Sequence, residues 1–146
     1  MNKKLLLILF LSFSIMVTAL LGCSQNPSSE KSSASTVLSI TNGDVFIMKA
    51  HTTTWVKAQV GVTLEADDTI KAGDGSWAMI TFFEGSTIEL EPGTEVSVAT
   101  LNITDTGSTT IGLQQEIGKT VSRVNKLADP ASSYEISTPA GVAAVR

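Results

Sequence analysis

Apolar and polar residues alternate with a period of two along most of the chain after Thr36. Val45 and Ile47 share one face of "VFIMK", and Ala78, Ile80 and Phe82 share one face of "WAMITFF". Ile88 and Leu90 do the same in "TIEL", as do Val96 and Val98 in "EVSVATLNI". The opposite faces of the last two carry Thr87, Glu89, Glu95 and Ser97, which reads as solvent. One apolar and one polar face is the pattern of half-buried antiparallel strands. Turn residues separate the runs: Asn42-Gly43-Asp44, Ala72 to Ser76, Glu84-Gly85-Ser86 and Glu91-Pro92-Gly93, with a bend at Asp67 and Asp68. "VLSI", "WVKA", "TTIGLQQ", "KTVSRV", "YEIST" and "GVAAVR" supply further strands. Only Leu113 to Lys126 competes as a helix, and Gly118 among β-branched neighbours weakens it. The prediction is all-β, an antiparallel twisted β-sandwich or a β-solenoid-like fold, with a barrel left open by the turn spacing.

The first residues follow another pattern. Lys3 and Lys4 precede an almost wholly apolar run from Leu5 to Leu21, which closes on Gly22 and Cys23. A basic start, an apolar stretch and a small residue at its end describe an export signal. Leu20-Leu21-Gly22-Cys23 resembles the lipobox of bacterial lipoproteins, where cleavage falls between Gly22 and Cys23 and the thiol takes diacylglycerol. Leu21 is bulkier than the small residue often found there. Cys23 is the only cysteine of the chain, so it forms no internal disulfide, and one thiol does not build a metal site. Each buried methylene contributes about 0.8 kcal/mol, so two or more acyl chains hold where one is marginal. An uncleaved membrane helix is the competing reading, against which Ser24, Gln25 and Asn26 directly follow the cysteine. Residues 1–22 are read as signal, 23–36 as a serine-rich tether poor in apolar residues, and 37–146 as the β-domain.

Without the signal, 124 of the 146 residues remain, enough for one domain. Eight basic residues then face 14 acidic ones, a net charge of −6 with the histidine neutral. With no basic patch and no interleaving of aromatic and basic residues, a nucleic-acid partner is not expected. An enzyme is not expected either. His51, the only histidine, sits in the polar "KAHTTTW" as an exposed hairpin residue, and there is no nucleophile elbow or phosphate-cradling glycine loop. Asp67, Asp68, Asp74 and Glu84 would bind calcium if they converged, but aspartate beside glycine is also ordinary turn chemistry. No cofactor and no metal are expected. Asn102-Ile103-Thr104 matches a glycosylation sequon of the kind that arises by chance. In "WAMITFF" the second face, Trp77, Met79 and Phe83, is also apolar. Such a run is commonly a strand buried on both sides; otherwise these three form an outward stripe that marks a partner surface.

Taken in order, the segments resemble the FecR domain family from about Leu38 to Arg146. "GDVFIMKAHTTTWVKAQVGVTLEADDTIKAGDGSWAMITFFEGSTIEL" is similar to its opening, and "YEISTPAGVAAVR" to its closing stretch. Two departures stand out. Ala66-Asp67-Asp68 replaces the family's usual Gly-Asp, so the backbone there is expected to differ. The family pattern also continues past the closing Val-Arg with a further strand, so the expectation is a truncated chain or a last strand supplied by something else.

The best-known family members are transmembrane regulators whose outer domain senses an iron-siderophore receptor. The resemblance here covers only that outer domain, so direct control of a sigma factor is not expected. It implies a lipid-anchored extracytoplasmic binding module that recognises a protein or glycan partner on the periplasmic or cell-surface side of the envelope, with edge-strand pairing as one mode. The alternatives are the outer sensor half of a signalling pair of the iron-siderophore type and a structural or adhesive envelope scaffold. Replacing Cys23 by serine is expected to abolish incorporation of labelled palmitate into the chain and leave the signal uncleaved, as read by intact mass. Unchanged labelling would sink the anchor assignment.

Overall fold

The computed structural model describes residues 35–146, which fold into twelve strands in two sheets. In chain order the strands are β1 (Thr36–Asn42), β2 (Val45–Met48), β3 (Val56–Lys57), β4 (Val62–Leu64), β5 (Thr69–Ala72) and β6 (Trp77–Thr81). They continue as β7 (Thr87–Leu90), β8 (Glu95–Ile103), β9 (Thr109–Ile117), β10 (Thr120–Arg123), β11 (Ser133–Thr138) and β12 (Gly141–Val145). A five-stranded sheet has the order β10-β7-β6-β1-β4, and a seven-stranded sheet the order β12-β11-β9-β8-β5-β2-β3. Every pairing is antiparallel except that of β9 with β11, which is parallel. The described residues contain no helix, and the segment that competed as one is the end of β9, a turn and β10.

The two sheets face each other in a sandwich-like fold, and the core contains the residues that alternation placed inside together with others, among them Leu38, Ile70, Ile111 and Tyr134. In the five-stranded sheet Leu38, Ile80 and Ile88 lie in one cross-strand row, with Ala78 and Leu90 in the next. In the seven-stranded sheet Ile47, Ile70 and Val96 form one row, and Ile111 pairs with Tyr134. All ten are buried. Apolar area removed from water drives this, at roughly 25 cal/mol per Å². Phe82 closes the layer by meeting the Tyr134 ring edge-on, with centroids 5.9 Å apart.

The connections depart from the simplest reading of the turns. Asn42-Gly43-Asp44 does not fold a hairpin, because β1 belongs to the five-stranded sheet and β2 to the seven-stranded one. The turns at Ala66 to Asp68, Gly73 to Ser76, Glu91 to Thr94 and Gly118-Lys119 likewise carry the chain from one sheet to the other. Glu84-Gly85-Ser86 does join a paired hairpin, β6 to β7. At each crossing the backbone leaves its ladder, and a buried N–H without a partner costs about 1–3 kcal/mol.

Buried short polar side chains supply those partners. Ser76 Oγ accepts the Asp44 N–H at 2.8 Å. Thr94 accepts the Lys119 N–H at 3.0 Å and donates to the Lys119 carbonyl at 2.9 Å. Glycine is required where these pairs meet. A Cβ on Gly43 (φ +77°) would lie 2.3 Å from Ser76 Oγ, and one on Gly118 (φ +93°) 2.4 Å from Thr94 Oγ1.

Asp68 makes the densest of these joints. Its side chain is 0% exposed, and it accepts the Lys49 ammonium at 2.6 Å and the Ala50 and Glu65 N–H groups, both at 2.9 Å. Asp67 N–H donates to the Val98 carbonyl at 2.7 Å, and Val98 N–H to the Asp68 carbonyl at 2.9 Å. Asp67 has φ 69°, the left-handed conformation that glycine enters without strain and that aspartate tolerates better than most residues. Replacing Asp68 by asparagine leaves one oxygen for three donors. Unfolding by urea is expected to show a loss of about 2–4 kcal/mol. A change within about 0.5 kcal/mol, the range of ordinary surface substitutions, would remove the carboxylate from this role.

Candidate functional site

Three connections converge at one end of the sandwich: the β6–β7 turn, the β8–β9 hairpin and the long crossing from β10 to β11. Ser86 Oγ, on a buried residue, accepts the Asn125 N–H at 2.9 Å, and Asn125 Nδ2 donates to the Glu84 carbonyl at 3.0 Å. These two bonds hold the crossing against the turn. Ser132 Oγ, also on a buried residue, accepts the Thr109 N–H at 2.9 Å and holds the far end of the crossing to β9. The hairpin closes on itself, with the Thr104 N–H bonded to the Ser108 carbonyl at 2.9 Å.

The three loops enclose a groove of about 460 Å³, lined by Glu84, Thr106, Asn125, Lys126, Asp129 and Ser132 among others. That is room for a long side chain or a small ligand. Two carboxylates set its electrostatics. The Ala131 N–H, 2.7 Å away, and the Ser108 hydroxyl hold the Asp129 carboxyl below the usual carboxylate range, so it stays ionised. Glu84 is unlike it. Both of its carboxylate oxygens are buried, and neither has a hydrogen-bond partner among the described residues. Burial pushes the nearby Tyr134 phenol above its ordinary value; a hydrogen bond with Ser122 at 2.9 Å opposes this, and the Glu84 charge adds to it.

The residues singled out from the sequence lie elsewhere for the most part. Gly22 and Cys23 fall outside the described residues. Trp77 and Met79 sit half-buried on the outer face of β6, whereas Phe83 lies past the end of that strand, in the turn, packed against the core. The three do not form one continuous stripe. Asp67, Asp68, Asp74 and Glu84 are not brought together, and among the described residues no group of three or more histidine, cysteine or acidic side chains is placed to hold a metal ion. His51 is exposed in a turn with φ 61°, beside the Lys49–Thr52 backbone bond. β12 is the last strand of its sheet and is exposed throughout.

Sequence reasoning named Glu84 as turn chemistry and as one of four calcium candidates that do not converge, and missed Asn125, Lys126 and Asp129. They fall in a crossing with no periodicity, where Asp129-Pro130 is the one local signal. Among the described residues no helix is long and apolar enough to cross a membrane. Comparison of the chain with family models, curated proteins and solved structures finds no match.

Tyr134 is the only tyrosine, so tyrosinate absorbance reports on it alone. Its titration midpoint is expected above the ordinary value of 10.0, returning there in denaturant. The phenol is held neutral in the fold. Its contribution to stability is therefore complete below the unfolded pKa and is lost as pH rises through the folded one. An unshifted midpoint in the native chain would contradict the packing around this ring.

Proposed function

We propose that this chain is a lipid-anchored, FecR-like binding module on the extracytoplasmic side of a bacterial membrane, recognising a partner in the envelope. Three features support the reading. The basic-apolar start ending at Gly22 and Cys23 has the form of a lipoprotein signal, and the serine-rich segment after it has the composition of a tether. The ordered segments from Leu38 to Arg146 resemble an extracytoplasmic family. The observation that carries binding is the groove, where loops fixed on a rigid sandwich hold an ionised Asp129 and an unpartnered Glu84 carboxylate. Loops positioned by a rigid scaffold are where recognition residues concentrate.

Fractionation and photo-crosslinking in the native cell test this reading. The chain is expected to sediment with membranes, whereas a chain starting at Ser24 behind an export signal that is cleaved without lipidation is expected not to. A photoreactive residue at Lys126, on the groove, should give a discrete adduct, while one at Asp74, in the turn between β5 and β6, should give none. A cytosolic chain, or equal adducts from both positions, would overturn the proposal.

A further inference from the structure

We infer that the groove between the β6–β7 turn and the β10–β11 crossing takes a basic side chain, lysine or arginine, from an extended polypeptide. The inference rests on the binding-module reading and names the chemistry of the partner. Its starting point is Glu84, whose two buried oxygens lack a donor among the described residues. A buried carboxylate without donors loses its hydration and gains nothing in exchange, and a cation with N–H groups restores both. Asp129 adds a second, ionised carboxylate to the same groove. Against these two stands one positive group, Lys126, an exposed side chain whose long stem can turn outward. The groove is therefore net negative.

The lining selects among cations and ligands. It contains no aromatic ring on which a sugar could stack, which disfavours a glycan. Two carboxylates fall short of the six to eight oxygen ligands that calcium takes, and no third acidic, cysteine or histidine side chain among the described residues joins them. A guanidinium or ammonium group asks for less, since hydroxyl and carbonyl oxygens can share its donors with one or two carboxylates. Thr106 and Thr109 provide hydroxyls in the lining, and about 460 Å³ accommodates the side chain with its flanking backbone. Asn125 lies over the turn, close enough that a Cβ on Gly85 would meet its Nδ2 at 2.6 Å. A change of rotamer would bring the buried Glu84 oxygens to the ligand, an ordinary adjustment at binding surfaces.

The test uses the full chain and a blocked peptide with one arginine among serines, compared with the same peptide carrying citrulline. Citrulline keeps the shape and removes the charge. Amide NMR signals of Thr106, Gly107 and residues 125–129, 131 and 132 are expected to move saturably with the arginine peptide and to stay still with citrulline. Glu84→Gln with Asp129→Asn should weaken binding about tenfold or more, with the dispersion of the remaining amides showing that the fold is retained. Equal shifts from both peptides, or no movement of groove signals in the unmodified chain, overturn the inference. Crosslinking from Lys126 then separates the two readings: an adduct that persists in the double variant removes the basic side chain as the ligand and leaves the binding module standing.

Discussion

The structure depends on one constraint, the satisfaction of backbone groups wherever the chain changes sheets. Strands in this fold are short, and consecutive ones repeatedly belong to opposite layers. Each crossing takes N–H and C=O groups out of a ladder close to an apolar core. The chain meets this with small polar side chains held inside: Asp68 and Thr94 at 0% exposure, Ser76 at 2%, each bonded to the backbone of a neighbouring segment. Apolar burial makes the sandwich favourable, but these bonds determine which segments lie side by side. The Asp68 ion pair illustrates the balance. Lys49 is 40% exposed and keeps part of its hydration, so the attraction of the pair is modest, and the two backbone donors contribute specificity as well as stability.

The same device builds the groove. Ser86 and Ser132 bind backbone N–H groups near the two ends of the β10–β11 crossing, which fixes a stretch without regular structure over the end of the sandwich. Glu84 departs from this rule. Its neighbours Phe82 and Ser86 are fully engaged, one in the aromatic pair and one as a backbone acceptor, while its own carboxylate has no donor among the described residues. Where a protein satisfies nearly all of its buried polar atoms, an exception invites a functional explanation.

Much of the fold was legible in the chain. The residues assigned to the inner face by alternation, from Val45 and Ile47 to Val96 and Val98, belong to the buried core, because side chains in a strand alternate whatever the strand pairs with. Positions of turns were legible too, since glycine and aspartate mark left-handed or tight backbone locally. The candidate site was not. Glu84 carried a turn signature and a calcium reading that the fold does not bring together, and Asn125 and Asp129 belong to a crossing without periodicity in which Asn125 bonds to residues about 40 positions earlier. The Trp77, Met79 and Phe83 face illustrates the limit of the pattern: strand β6 ends at Thr81, so the period-2 extrapolation to Phe83 fails where the backbone turns.

The sequence by itself determined the all-β class, the inner faces of β2, β6, β7 and β8 and the places where the chain bends. These follow from local chemistry, the pleat of a strand and the conformations open to glycine and aspartate. Only the tertiary structure decided whether a bend reverses within a sheet or passes to the other one. Asn42-Gly43-Asp44 and Glu84-Gly85-Ser86 look alike along the chain, yet the first changes layer and the second closes a hairpin. The difference lies in what waits at the far end: Ser76, 32 residues on from Asp44, accepts its N–H, and no local pattern encodes a partner at that distance.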